Sequence, residues 1–359
     1  MVAHMQRPTL ETAPRASAHA TRCFLLALVV LPLAHYCPAQ NTPLISGGGA
    51  FFTSTNGGNT SYDPITEPVL AAPLGQHILV ESRAAFLESF TPATGTQSGY
   101  NHTHFIGETY LQGDFLFSPR LTVVAGHYLI PFDTYNERLS PPWIGNFQDE
   151  PLNAPLGLLQ GSSGLGGMLR GSAFASNKYS ISYAYFYSAR RSAEEFAAHR
   201  GTGGRASLYL PEQGLELGLS YDRELQGTHE NFYGGYLWWT PRDTGLRVRS
   251  EFARGHHAQG GWLEVDYRLK AFGGFSSAIG RIEPVFRMQQ TFRRDTIVSD
   301  GLPLVNTQRA DFGLDYNLPH SVRILTSYAR QFASTGNRNV WETGIAYRFL
   351  FPAWKGKEP

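Results

Sequence analysis

The stretch Asn339-Val340-Trp341-Glu342-Thr343-Gly344-Ile345-Ala346-Tyr347-Arg348-Phe349-Leu350-Phe351 decides the fold. Apolar and aromatic residues recur at every second position of it, which is the period of a β-strand and not of a helix. Successive side chains of a strand point to opposite faces. One face of this strand therefore carries Trp341, Thr343, Ile345, Tyr347, Phe349 and Phe351.

The same period of two recurs from about Gly75 to the end of the chain. In the segment 263–269, for example, Glu264 and Asp266 alternate with Leu263 and Val265. We count about fourteen such strands from Gln76 onward, and the segments 45–53 and 68–74 would supply two more. Because even strand numbers are the rule in bacterial barrels, we predict about sixteen strands, with about fourteen as the alternative.

A soluble β-sandwich or propeller would also alternate, but three features favour a membrane barrel. The polar faces carry charged pairs, and the chain has only four lysines. Aromatic residues gather near predicted strand ends, as in the run 236–239, which suits the girdles of an outer-membrane barrel. Short turns such as 118–120 alternate with long polar loops such as 294–306. We therefore predict an all-β, transmembrane antiparallel barrel in the outer membrane of a Gram-negative type envelope, in contact with its lipid.

One connection differs from the others. The apolar run 121–130 predicts an early strand, and the segment 131–152 that follows has four prolines and no period of two. Long loops without their own periodicity are usually functional, so we expect this one to fold inward across the lumen. Its polar side chains would then line a pore constriction or, alternatively, support the wall from inside. These candidate constriction residues are Asp133, Asn136, Glu137 and Arg138.

The lumen should be lined by the charged faces of the strands. Charged rings select ions in pores, although such charges can also pair and only keep a channel wet. The arginines predicted to line the pore are Arg83, Arg247, Arg249, Arg287 and Arg309.

The N-terminus has the form of a secretory signal. Arg7, Arg15 and Arg22 precede an apolar run over 23–34, and small residues allow a cut after Ala39. The alternative is an uncleaved anchor helix. We predict a signal peptide over 1–39, a barrel over 40–351 and a short tail over 352–359. Both cysteines lie in the leader, so no disulfide is expected in the mature chain.

Signals for other chemistry are weak. The pairs His102/His104 and His256/His257 have no third metal ligand at a supporting spacing, so we expect solvated loop histidines and no metal site. A lipid-degrading barrel would need a Ser/His pair at the lipid face, but the glycine-rich segment around Ser162 and Ser163 does not match a nucleophile elbow. We predict no catalytic residues and no cofactor. Charges alternate in sign and the net charge is +1, so nucleic-acid binding is not expected either.

The segment Gly126 to Phe132, followed by Tyr135 to Pro141 and Trp143, resembles the phosphate-selective porin O/P family. The last strand also resembles the aromatic-ended signal that the barrel-assembly machinery binds. The resemblance implies a homotrimeric, water-filled barrel. The chain departs from the family pattern in two ways, because residues 352–359 follow the terminal Phe351 and because acids accompany the inward arginines.

We therefore predict a passive outer-membrane diffusion channel for small polar solutes or ions, with a preference for phosphate-like anions. The alternatives are a non-channel barrel, which would be an enzyme acting on lipid or a structural or adhesion protein, and a secreted soluble β protein. Ion conductance, lipid turnover and partitioning without detergent distinguish these three classes.

Overall fold

A computed structural model describes residues 42–353, apart from 94–98, 140, 142, 155–162, 190–199, 275–276 and 296–299. The predicted signal peptide and most of the predicted tail lie outside the described residues. Within them, sixteen antiparallel strands close into one barrel, and the predicted strand number is confirmed. The strands are β1 (Leu44–Asn56), β2 (Asn59–Leu74), β3 (Ile78–Pro92), β4 (Tyr100–Ser118), β5 (Leu121–Leu129), β6 (Ser163–Ala175), β7 (Ser180–Ala189), β8 (Arg200–Leu210), β9 (Leu215–Glu224), β10 (Asn231–Trp239), β11 (Leu246–Arg254), β12 (Ala258–Tyr267), β13 (Ile282–Arg293), β14 (Thr307–Asn317), β15 (Val322–Ala333) and β16 (Arg338–Pro352).

The first and last strands close the barrel. β1 pairs with β16 from Leu44 opposite Pro352 to Asn56 opposite Val340, and every other strand pairs with its neighbours in sequence. The connections after the even-numbered strands β4, β8 and β14 are tight turns, and this end of the barrel is called the turn end. The opposite end, where β13 joins β14 through 294–306, is called the loop end.

The two faces of the wall differ as the period of two predicts. On β14, Phe312 and Leu314 project outward and are exposed, whereas Asp311 and Asp315 project inward and are buried. Aromatic rings meet on the outer face near both ends. Tyr328 and Trp341 lie 4.6 Å apart between ring centroids, and Phe349 and Phe351 lie 5.6 Å apart. An apolar band between aromatic girdles is the surface that outer-membrane barrels present to lipid.

The alternation of inward and outward side chains is interrupted along β4. The pairing of β3 with β4 shifts register between Arg83 and Ala85, where three residues of β4 span two of β3. An uninterrupted period of two predicts Phe105 on the same face as Leu111, and this prediction is wrong, because Phe105 lines an internal cavity. An extra residue in one strand moves every later side chain to the other face.

The connection after β5 enters the lumen, which confirms the prediction of an infolded loop. It contains a single helical turn, Tyr135–Leu139. Two further short helical turns, Leu269–Phe272 and Ile279–Arg281, lie in the connection from β12 to β13 at the turn end. No helix in the described part of the chain is long and apolar enough to cross a bilayer.

Candidate functional site: the infolded loop and the lumen

The lumen loop, residues 130–154, begins where β5 loses its partner. Pro131 lacks an N–H group and cannot extend the ladder. Phe132 is buried in an apolar cluster with Tyr128, Phe186 and Phe232. Burial of these rings turns the chain away from the wall and into the lumen.

The next two residues attach the loop to the wall strands β9 to β11. The backbone N–H of Asp133 donates to the Ser220 hydroxyl at 2.9 Å. The backbone N–H of Thr134 donates to a carboxylate oxygen of Glu251 at 2.9 Å, and the Trp238 indole N–H donates to the Thr134 hydroxyl at 2.9 Å. Satisfied polar groups on both sides fix the position of this segment.

Asp133 lies against β10 without a side chain in the way. A Cβ atom on Gly234 would lie 2.2 Å from a carboxylate oxygen of Asp133. Burial, together with the neighbouring Glu251 carboxylate, raises the pKa of Asp133 well above its ordinary value.

The helical turn carries two charges that face open space. Glu137 pairs with Arg205 of β8 at 2.6 Å. Arg138 donates two hydrogen bonds to Glu216 of β9, at 2.9 and 3.0 Å, and its guanidinium stacks 5.2 Å from the Trp238 ring centroid. This is the bidentate geometry that orients a guanidinium most firmly.

The second half of the loop contacts a charged cluster on β11 to β13. Asn146 donates to Glu264 at 3.0 Å and to Asp266 at 3.1 Å. Arg247 bridges Asp266 and Glu283, at 2.9 and 3.0 Å. Basic side chains of one strand face acidic side chains of the next in this cluster. The Asn146 amide therefore binds carboxylates that already form ion pairs with arginines.

The segment 147–149 of the loop reaches β13 and β14. The Asp149 carboxylate pairs with Arg309 at 2.6 Å, and its backbone carbonyl accepts from Arg287 at 3.1 Å. The Arg287 guanidinium lies 4.4 Å from the centroid of the Phe147 ring. The loop thus has charged, aromatic and backbone contacts with the same two strands.

Glycines of the wall leave space for loop side chains. A Cβ atom on Gly48 would lie 2.2 Å from the Trp143 ring. A Cβ atom on Gly260 would lie 2.9 Å from Asn153, and one on Gly313 would lie 3.0 Å from Phe147. With Gly234 these positions form a set on widely separated strands. The sequence gives no signal for this role, because the glycines occur in ordinary strand patterns.

Two internal cavities flank the helical turn. One, of about 490 Å³, is bounded by Glu137 and Arg138 and by wall residues that include Glu81, Arg170 and Ser207. The other, of about 310 Å³, is bounded by Tyr135 and Leu139 of the same turn and by β1 to β4. We call these the first and second lumen cavities.

The predicted site residues divide into two groups. Glu137 and Arg138 line the first lumen cavity, whereas Asp133 and Asn136 are buried against the wall. Arg247 is partly exposed. The other predicted pore-lining arginines project inward but are buried in ion pairs or loop contacts: Arg83, Arg249, Arg287 and Arg309.

Two arginines of the lumen were missed by sequence reasoning. Arg170 lines the first lumen cavity and pairs with Asp114. Arg323 of β15 donates to Asn146 at 3.2 Å. Each alternates with apolar neighbours in its strand, so the period of two could have identified both.

Comparisons with solved structures identify barrels of the same fold. The Salmonella typhi OmpF complex with daunomycin is 11% identical, covers 86% of this chain and 97% of its own, and has a TM-score of 0.56. A mutant of the Rh. blastica porin is 11% identical, with 86% and 100% coverage and a TM-score of 0.51. A loop-deletion mutant of OmpT, an outer membrane protein of Vibrio cholerae, is 8% identical, with 86% and 100% coverage and a TM-score of 0.56.

No family model matches the chain, and no curated protein matches it. At such identities the likeness establishes the fold, which is that of the outer-membrane barrels. The resemblance to the phosphate-selective family stays a prediction.

Proposed function

We propose that this protein is a porin, a passive outer-membrane diffusion channel for small polar solutes and ions. The single observation that carries the proposal is the lumen: a charged, infolded loop with a cavity on each face, inside a wall whose outer surface is apolar. A polar interior behind an apolar band is the arrangement of water-filled barrels. Solved porins with the same fold support it.

We further propose that the channel prefers anions. The support is that two arginines of the lumen are more exposed than the acidic residues with which they pair. Arg138 has 36% of its side chain exposed and its partner Glu216 has 17%. Arg170 has 38% exposed and its partner Asp114 has 3%. The first lumen cavity itself is lined by the guanidinium groups of Arg138, Arg170 and Arg205 and by the carboxylates of Glu81 and Glu137. A solute there would meet more guanidinium than carboxylate groups. Guanidinium groups bind phosphate and carboxylate anions in a bidentate manner.

The remaining predicted residues have supporting roles in this proposal. Glu137 and Arg138 form the constriction with Arg170 of β6, which lines the same cavity. Asp133 and Asn136 hold the loop, as do the buried Arg287 and Arg309 through Asp149. Arg249 pairs with Glu264 within the wall. Arg83 pairs with Glu67 at 2.7 Å within the wall of β2 and β3.

The test is single-channel conductance of the refolded mature protein in a planar bilayer under a KCl gradient. We expect stepwise conductance and a reversal potential that indicates chloride over potassium. Replacing Arg138 and Arg170 by Gln should shift the reversal potential toward potassium. Arg330→Gln is the matched control, because Arg330 is on the outer face beside Phe332. Correctly folded protein without conductance would contradict the channel.

A second candidate function has one specific observation in its favour. The Ser163 hydroxyl lies 3.0 Å from the His127 Nε2 atom. Both residues share the outward face with Leu165, which is exposed. This is the spacing of a nucleophile and its general base at the lipid surface. The alternative role is structural, because the same hydrogen bond joins the end of β5 to the start of β6.

Lipid turnover separates these roles. Wild-type protein in phospholipid micelles would release fatty acid, and Ser163→Ala would abolish the release, if the pair is catalytic. Equal conductance of the wild type and Ser163→Ala, with no fatty acid released by either, would leave the channel as the function.

The assembly of the protein is also a proposal. We propose a homotrimer that is inserted by the barrel-assembly machinery after removal of residues 1–39. Sedimentation of the purified protein in detergent measures the number of chains, and N-terminal sequencing locates the cut. A monomer at all concentrations would contradict the trimer without affecting the channel.

A further inference from the structure

Three connections meet on the outer side of the wall at the loop end. They join β9 to β10, β11 to β12 and β13 to β14. The middle one is short, and the backbone N–H of Gly255 donates to the Ala258 carbonyl at 2.9 Å across it. The His257 carbonyl accepts from the backbone N–H of Arg294 at 2.8 Å. His257 is therefore held beside the start of the neighbouring connection.

This arrangement brings a third potential metal ligand to the adjacent histidines. The potential ligand atoms of His256, His257 and Asp295 all lie within 4.8 Å of one another. The His257 Nδ1 atom is 3.1 Å from an Asp295 carboxylate oxygen. Two ligand atoms bound tetrahedrally to zinc are about 3.3 Å apart, since zinc–ligand bonds are about 2.0–2.1 Å. The His257–Asp295 pair already has nearly this separation.

The other nitrogen of His257 is also engaged. Its Nε2 atom lies 2.9 Å from a carboxylate oxygen of Glu230, a residue of the β9–β10 connection. Histidines that bind metals commonly donate their second ring N–H to a carboxylate, which leaves the other nitrogen free to coordinate. Glu230 thus selects Nδ1, the nitrogen that faces Asp295, as the metal-binding atom.

We propose that His256, His257 and Asp295 bind one divalent transition-metal ion of the zinc type, with Glu230 as a positioning residue. Two imidazoles and one carboxylate suit zinc, nickel or copper, whereas magnesium and calcium take oxygen ligands. The His256 ring is exposed, and rotation of its side chain would bring its nitrogen closer to the other two ligand atoms. The bound ion would link two connections directly and the third through Glu230.

Charged groups around the site affect how strongly it would bind a metal ion. A cavity of about 940 Å³ beside the site is lined by Arg254 and Arg294 as well as by Glu230, His256 and His257. The two arginines oppose a bound cation, while Glu230 and Asp295 favour it. Metal ions bind imidazole in its neutral form, so zinc binding should release protons and weaken as the pH falls.

The test is calorimetric titration of ZnCl₂ into the folded full-length protein in detergent. We expect one zinc per chain and no comparable heat from MgCl₂. Glu230→Gln should weaken binding about tenfold, as loss of an outer carboxylate does. His256→Ala and Asp295→Asn should weaken it further. Titration in two buffers of different ionisation enthalpy should also show proton release on binding.

The matched control is His320→Asn, which removes an exposed histidine in a turn at the opposite end. Its φ of 61° is one that Asn tolerates. Unheated gel mobility checks that each variant is folded. The absence of saturable zinc binding, or binding by His256→Ala and Asp295→Asn equal to that of the wild type, would overturn the proposal. Neither outcome depends on whether the barrel conducts ions.

Discussion

At the scale of the residue, Asp133 should make attachment of the lumen loop dependent on pH. Burial and the Glu251 carboxylate raise the pKa of Asp133, whereas in a released loop the pKa returns to about 3.9. The attached state therefore binds the extra proton, and its stability falls as the pH rises from about 4 through the raised pKa. We expect exchange of the loop amides to be faster at pH 8 than at pH 5, after correction for intrinsic rates.

Asp133→Asn should reduce this dependence and increase the protection of the loop amides at pH 8. Asp133 has a φ of 50°, which Asn also tolerates, so the backbone need not change. Asp243→Asn is the control, because Asp243 has a similar φ of 59° but is exposed in a turn. Loop protection that stays equal across this pH range in the wild type would show that Asp133 does not control attachment.

A second prediction concerns the space that Gly234 leaves for Asp133. Gly234→Ala would place a methyl group 2.2 Å from the Asp133 carboxylate. We expect the substitution to weaken loop attachment by about 1–3 kcal/mol, as overpacking does. The adjacent Gly235→Ala is the control, because its nearest neighbour, Leu219, would be 3.5 Å away. Exchange of the loop amides should rise in the first variant alone; equal exchange in the two would count against this contact.

At the scale of the element, the buried and the exposed arginines of the lumen should differ in their contribution to stability. Arg249 pairs with Glu264 in the buried cluster, whereas Arg138 pairs with Glu216 at the first lumen cavity. Removing one partner of a buried pair leaves an unpaired charge and costs about 3–5 kcal/mol. Exposed pairs contribute about 0–1 kcal/mol. Arg249→Met should therefore lower the free energy of unfolding in urea much more than Arg138→Met, and equal losses would contradict this.

The elements themselves were predictable from sequence, but their contacts were not. Strands follow from the period of two, and the infolded loop follows from the loss of that period after Ile130. The buried positions of Arg287 and Arg309 depend on the path of the loop, which brings Asp149 to side chains 138 and 160 residues away. The zinc ligands are also distant in sequence, since Asp295 follows His257 by 38 residues. The alternation of polar and apolar residues predicts which face of the sheet a side chain occupies. Only the folded structure shows which side chain it contacts.

At the scale of the whole molecule, closure depends on a strand pair whose members lie at opposite ends of the described chain. Phe351 is opposite Ile45 and Phe349 is opposite Gly47, so the last residues of β16 pair with the first residues of β1. A strand edge left open in lipid has unpaired backbone groups that each cost several kcal/mol. The end of β16 should therefore be indispensable, and the predicted tail beyond it should not.

Truncation tests this directly. A chain that ends at Ala353 keeps every pair between β1 and β16, and we expect it to give the same unheated gel mobility as the wild type. A chain that ends at Tyr347 loses five pairs, from Arg348 opposite Gly48 to Pro352 opposite Leu44. We expect it to lose the compact, heat-modifiable form. A compact form in the shorter chain would mean that these pairs are not needed for closure, whereas its loss in the longer chain would assign a folding role to the tail.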